Sequence, residues 1–426
     1  MMDVAVARPV ANVVAQHVEE CAVLSTVRMG MVEAPHVRLH HLRRLDDRLA
    51  AHLDGLAVAG EFGAHLCAIA LARPGTGEIF AATALAIAGR DESCLDKMLA
   101  LAEALPECRS GMQSAFSWAG APSLRDITRE LLGSGSAFRR MIGIATCHAH
   151  RVDPGAVLLD VLGDPDPALR AEGLCTAGEC GRRDLFDACV RALQDQNADC
   201  RFQAARSAVF LGERHEAIRV LHRVAHAEGE HRTQAIGLLL KLASSEQAVS
   251  LLRAFFEQEA DARMLIRGLG MAGDPRFVPM LIDRMEDPAH SRLAGEAFSM
   301  ITGVDLEMLD LDRKPPEGQE VGPTDDPADD DVAMDDDEGL PWPDVPKISA
   351  WWSAHASGFE AGGRYFMGAT PSRVHCLRVR KEAGQRQRRA ASEYLCLLHP
   401  GTVLFPTCAP AWRQQRWLQA AEADAE

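Results

Sequence analysis

Basic residues are in short supply in this 426-residue chain: 45 Lys and Arg face 61 Asp and Glu, a net charge of −16. That balance disfavours general binding to nucleic acid or to anionic membranes, both of which need a basic surface. No apolar run approaches the roughly 20 residues that a bilayer span requires, so no membrane insertion is expected. The N-terminus, MMDVAVARPVANVVAQHVEECAVL, lacks the basic start, apolar core and small-residue cleavage site of a signal peptide. The twelve cysteines include no CxxC pair, and Cys67, Cys94, Cys147, Cys175, Cys189 and Cys200 are scattered singly through Ala- and Leu-rich stretches. Such cysteines behave as small hydrophobes, so reduced core thiols in a cytoplasmic protein are expected, with no metal site. GxSxG, HExxH and Ser-x-x-Lys are missing, and GSGSAF (133–138) has neither dinucleotide nor Walker spacing. No catalytic function and no cofactor are expected.

Charge is concentrated in one place. Residues 317–338 (EGQEVGPTDDPADDDVAMDDDE) hold eleven acids and no Lys or Arg, so the other 404 residues carry only −5. With its Pro, Gly and Asp content, 314–346 reads as a disordered acidic insertion. DDPADDDVAMDD lacks the sixth-position Gly and twelfth-position Glu of an EF-hand, which argues against calcium.

What the chain has in abundance is repetition. Arg109, Arg140, Arg170, Arg201, Arg232, Arg263 and Arg292 each lead a similar small-residue apolar stretch, as in RAEGLCTAGECG and RLAGEAFSMITG. Their spacing is near-constant, a period of about 31 residues in the range of helical solenoid repeats, and Glu78 leads an eighth copy one period upstream. Small residues recur three places after the anchor (Ala81, Gly143, Gly173, Ala204, Ala235, Gly295), where a neighbouring helix must approach closely. Gly or Ala recurs eleven places after it (Gly89, Gly120, Gly181, Gly212, Ala243, Gly303), a helix stop signal. A polar turn such as GDPDPALR or QDQNADCR precedes each arginine, and a second apolar helix precedes the turn: Asp184–Leu193, His215–Ala225, Glu246–Phe256, Arg276–Met285. One helix pair cannot bury its own apolar face, so copies must stack into an all-α solenoid. The arginines are expected to pair with acids of the preceding or neighbouring turn, Asp164, Asp195, Glu257 and Asp287, and so to fix the repeat spacing.

The flanks are also helical. Leu42, Leu45, Leu49, Leu53 and Leu56 form one amphipathic stripe, with His36, His40, His41 and His52 read as solvent-facing. Thr370 and Pro371 are expected to open a helix through Arg380. Arg389 then leads RAASEYLCLLHPG in the repeat's own shape. Five of the six tryptophans (Trp342, Trp351, Trp352, Trp412, Trp417) cluster towards the C-terminus, consistent with a cap over an apolar end face. Arg386, Arg388 and Arg389 read as a solvated helix start; with Trp351 and Trp352 they are the candidate partner-binding residues, for an acidic partner or the chain's own acidic segment.

DPDPALRAEGLCTAGECG and DPAHSRLAGEAFSMITG resemble HEAT repeats, and more closely the short HEAT-like repeats of phycobilin lyases, over 78–313. Deoxyhypusine hydroxylase shares such repeats, but its His-Glu pairs are represented here by His215-Glu216 alone, so its di-iron ligand set is missing. VRLHHLRRLDDRLAAHLDGLAVAG (37–60), GLPWPD (339–344) and QRQRRAASEYLCLLHPGTVLFPTCAPAWRQQR (385–416) together resemble a proteobacterial family of HEAT-repeat proteins often encoded beside type VI secretion clusters. That resemblance implies a non-enzymatic adaptor or structural accessory of secretion that binds a secretion component or effector. The alternatives are a bilin or prosthetic-group lyase or chaperone, and an immunity protein that binds a secreted toxin. The expected organisation is N-terminal helices over 1–60, solenoid over 61–313, acidic insertion over 314–346 and a C-terminal helical repeat or cap over 347–426.

Overall fold

The computed structural model describes residues 9–256, 262–317 and 335–423. Among them are 22 α-helices and one two-residue antiparallel ladder, so the fold is all-α. The chain divides into two compact units. The first comprises the described residues of Met1–Glu33, Val37–Cys180 and Phe405–Glu426; the second comprises those of Ala34–His36 and Gly181–Leu404. Residues 347–426, expected as a C-terminal helical repeat or cap, are divided between the units: the described residues from Phe405 on belong to the first, where Ala411–Ala423 packs with Leu39–Ala59, and those up to Leu404 to the second.

In the first unit Ala11–Met31 and Leu39–Ala59 pack together and lead into the repeats. Leu42, Leu45, Leu49 and Leu56 are buried, as their spacing requires. The histidines differ from expectation. His36 and His40 are exposed, but His41 and His52 are half-buried, and the His52 ring sits edge-on to His17 with their Nδ1 atoms 2.9 Å apart. The second helices of successive repeats, Thr76–Gly89, Arg109–Trp118, Ala137–His150 and Pro167–Glu179, stack in order.

The second unit continues the pattern with Ala198–Leu211, Arg232–Leu242, Ala262–Ala272 and Ser291–Thr302. Each follows a shorter or similar partner helix: Phe186–Ala192, Glu216–His226, Ser245–Phe256 and Val278–Arg284. The polar turns work by side-chain capping. Asp166 accepts from the Leu169 N–H, Asn197 from Cys200 and Ser136 from Arg139. Each such cap contributes about 1 kcal/mol by satisfying an otherwise unpaired N–H at the helix start. The small residue three places on has the expected role. A Cβ on Gly173 would come 2.5 Å from Val161 Cγ1 of the neighbouring helix, whereas one on Gly295 would come 2.8 Å from Pro343 Cγ, in the short ladder and not in a helix.

Helix ends are less uniform than the sequence pattern. Gly181, Gly212 and Gly303 adopt the left-handed conformation, as does Gly273, ten places after its anchor. In two copies an arginine does so instead, Arg90 (φ 54°) and Arg151 (φ 53°), while Gly120 is an extended N-cap. In the second unit these ends carry a second task. The segment between Arg364 and Gly401 lies along them and supplies hydrogen bonds to their terminal carbonyls. The Arg364 guanidinium donates to the carbonyls of Lys241 and Ala243, and Tyr365 N–H donates to Gly273. Met367 and Gly368 donate to Met300 and Ile301, and Gly401 to Phe210. A Cβ on Gly273 would overlap the Tyr365 carbonyl oxygen, and one on Gly303 would come 2.6 Å from Met367. Glycine here ends the helix and also admits the crossing chain.

The helix expected from Thr370 begins later, at Arg373, and runs to Glu382. Ser372 is its N-cap, accepting from the His375 N–H, which leaves Pro371 outside.

Candidate interaction surface along the repeat arginines

The repeat arginines act mainly on main-chain carbonyls. Arg170 Nη1 donates to the carbonyls of Asp164 and Pro165 (2.8 and 3.0 Å), and Arg201 Nη1 to those of Asp195 and Gln196 (both 2.8 Å). Arg109 reaches Ala102 and Glu103, Arg140 reaches Ser134 and Gly135, and Arg232 reaches Ala225. Arg109 and Arg232 thus satisfy carbonyls in the last turn of the preceding helix, where positive charge is favoured, and Arg140, Arg170 and Arg201 satisfy carbonyls of the connecting turn. These carbonyls stand beside the expected acid partners, of which Asp164, in the neighbouring turn from Arg140, is one. Asp164 and Asp195 fold their carboxylates onto the N–H two residues ahead, shaping the turn. Asp164 also accepts from Arg140 at 2.6 Å, which ties one copy to the next. Asp287 binds His290 and the Ala289 N–H. Glu257 lies outside the described residues.

The last two arginines of the series do something different: they hold the acidic segment. Arg263 Nη1 and Nη2 donate to the two Asp337 oxygens at 2.9 and 2.6 Å. Arg292 donates to both Asp335 oxygens at 2.6 and 2.8 Å and to the Asp337 carbonyl at 3.0 Å, its guanidinium 4.9 Å from the Trp342 ring centroid. Both are fork-to-carboxylate pairs, among the strongest hydrogen-bonded ion pairs a protein makes. The arginines hold Asp335 below the usual carboxylate range against the opposing effect of burial. The segment's base is closed by the ladder Asp312–Arg313 with Trp342–Pro343. Disorder over 314–346 is therefore corrected for 314–317 and 335–346; residues 318–334 lie outside the described residues.

Beside this contact stand Arg267, one turn beyond Arg263, and Arg386, which pairs with the buried Glu296 at 2.7 Å. The three candidate arginines separate. Arg386 is half-buried in that pair, Arg389 is exposed, and Arg388 is fully buried. Arg388 donates to the Arg380 carbonyl at 2.8 Å and to Gln385, and burial with the nearby Arg380 pushes its pKa down to about 10. The reading of a solvated helix start is wrong for Arg388, because its face of helix Gln385–Leu398 points into the unit's core. Trp351 and Trp352 are half-buried: Trp351 stacks on His355 and meets Phe298 edge-on, and Trp352 packs on Phe359.

The first unit holds a second polar cluster that the sequence did not mark. His148 Nδ1 lies 3.1 Å from Glu172 Oε1, and its Nε2 lies 2.7 Å from Glu179 Oε2. Arg151 donates to the same Glu179 oxygen at 2.7 Å, and Cys175 Sγ is 3.7 Å from Glu179 Oε1. Burial lowers the His148 pKa, but the Glu179 charge and the bonds to both carboxylates outweigh it and set it at about 8. Donor atoms of His148, Cys175 and Glu179 converge within 4.8 Å, a mixed set that suits zinc. Arg151 and the protonated imidazole, however, already balance the two carboxylates. The cluster is a charge-compensated staple between the helices Ala137–His150 and Pro167–Glu179. The one signal for it in the sequence is Arg151, standing where the pattern calls for glycine.

Stacked helix pairs with capped turns define an α-helical repeat protein, a class built to present an extended surface. Residues 155–239 match the family model described as HEAT repeats, a likeness that covers about a fifth of the chain. No curated protein and no solved structure matches the chain.

Proposed function

We propose that the chain is a non-enzymatic protein-binding scaffold of the bacterial cytoplasm, serving as an accessory of type VI secretion. HEAT repeats supply the extended surface on which proteins dock. The observation that carries the reading is the seat of Asp335 and Asp337 on Arg263 and Arg292: here the repeat surface grips an acidic turn through side-chain forks. The secretion role rests on the resemblance of residues 37–60, 339–344 and 385–416. Its GLPWPD segment includes Trp342, under Arg292, and Pro343, against Gly295. The test is affinity purification of the tagged full chain from a secretion-active strain. Stoichiometric recovery of a secretion component or effector is expected. Recovery of none overturns the secretion role, and recovery of a single toxin reassigns the chain as an immunity protein.

A further inference from the structure

We propose that the face formed by Arg263, Arg267 and Arg292 is a docking site for an acidic segment of a partner protein, with carboxylates two residues apart, and that the chain's own Asp335–Asp337 occupies it as an intramolecular competitor. The proposal deepens the scaffold reading by naming the partner's chemistry, and it rests on that reading.

Four observations carry it. First, the occupant is a short turn whose two carboxylates meet two guanidiniums in register: Asp337 on Arg263 and Asp335 on Arg292. The recognition unit is thus Asp-x-Asp, while Asp336 between them stays exposed, 3.8 Å from Arg263. Second, the site is positively charged without its occupant. Arg263 and Arg292 would then lose their carboxylate partners, and Arg267 would stand among the charges of Arg263 and Arg386 with Glu296 as the carboxylate beside it. Arg263, Arg267 and Arg386 against one carboxylate, partly withdrawn from water, repel one another until an anion arrives. Third, the occupant leaves part of the site unused. Arg267 makes no hydrogen bond or ion pair among the described residues, although Arg263 and Arg386 both bear on its charge. A longer acidic segment would reach it. Fourth, Arg263 and Arg292 each grip both oxygens of one carboxylate, whereas Arg140 meets a single oxygen of Asp164.

An occupant tethered by a short linker competes at an effective concentration of about 1 mM; against a peptide with a Kd of about 100 μM it weakens apparent binding about tenfold. Removing it therefore exposes the site. The experiment uses the full chain, wild type and D335N/D337N, with a fluorescent peptide copying residues 335–340 (DDDEGL) read by polarisation. A control peptide, NDNEGL, lacks the two gripping carboxylates. The double variant is expected to bind DDDEGL about tenfold more tightly than the wild-type chain, to ignore NDNEGL, and to weaken as salt rises. Adding R263E and R292E to that background should abolish binding. A folded double variant that binds neither peptide, binds both alike, or keeps its affinity after the arginine reversals overturns the proposal. Should D335N/D337N fail to fold, amide exchange in the wild-type chain decides. Saturating DDDEGL must accelerate exchange across 335–340, and unchanged exchange overturns the proposal. If the purification yields no secretion component while DDDEGL binds, the secretion role falls and the site stands; the reverse outcome removes the site alone.

Discussion

Replacing Gly273 by alanine tests whether the C-terminal segment is part of the second unit's architecture or merely lies beside it. Gly273 has φ 71°, and a Cβ there would overlap the Tyr365 carbonyl oxygen. Alanine in the left-handed region costs about 1–2 kcal/mol wherever it stands. At 273 it must also push the crossing chain away, which endangers the Tyr365 bond to Gly273 and the two adjacent Arg364 bonds to Lys241 and Ala243. At a net value of about 1 kcal/mol per bond, the total loss reaches about 4–5 kcal/mol. Gly362 is the matched control: it has φ 81° in the same unit, with no atom closer than 3.9 Å to a built Cβ. G362A should show the backbone cost alone, about 1–2 kcal/mol. Urea unfolding followed by circular dichroism gives both values, and amide exchange at residues 364–368 reports the detachment directly. If G273A is no more destabilising than G362A, and exchange over 364–368 is unchanged, the segment does not secure the helix ends.

Three further outcomes follow from the geometry. The folded His148 pKa of about 8 lies above the usual 6.5, so its stabilisation is complete below pH 6.5 and is lost as pH rises through 8. The shift corresponds to about 2 kcal/mol. Melting of the wild type should fall more steeply than that of H148Q between pH 6 and 9, and parallel slopes would refute the assignment. Asp46, fully buried, accepts from Arg28 Nε at 2.7 Å and from the Ala411 N–H at 2.6 Å. D46A leaves Arg28 buried beside a lost anchor for helix Ala411–Ala423 and should cost about 3–5 kcal/mol in denaturant unfolding, and a loss under about 1 kcal/mol would contradict the burial. Cys408 alone among the twelve cysteines is exposed, whereas burial pushes the thiols of Cys21 and Cys189 up to about 12. Titration with a thiol reagent should show one fast site and, at most, the half-buried Cys94, Cys175 and Cys180 following. Rapid reaction of more than four thiols in the folded chain would refute that order.

The repeat was legible because its causes are local. Spacing of small and apolar residues sets which helix face can be approached, and Asp, Asn and Ser at the turns cap helices wherever they stand. The arginine series was legible as a position but not as a set of partners, because a guanidinium that caps carbonyls leaves no trace in the identity of the residues it touches. Arg388 was misread for a related reason: RQRR looks solvated in one dimension, and only the packing of Gln385–Leu398 shows that one of its arginines points inward. The acidic segment misled through composition. Asp335 and Asp337 look like their neighbours Asp329 and Asp331, and what orders them is a pair of arginines far upstream, Arg292 and Arg263. The His148 cluster joins residues 24 and 31 apart, each unremarkable alone.

The path of the segment between Arg364 and Gly401 dictates an order of events during synthesis. Arg214 takes as its partner a carbonyl made 183 residues later, and the carbonyl of Lys241 waits for a guanidinium 123 residues downstream. Until those stretches have left the ribosome, the open helix ends can only bond to water. The repeats of the second unit thus emerge in sequence with their internal helix bonds in place, and a single late stretch then covers the carbonyls left along their edge.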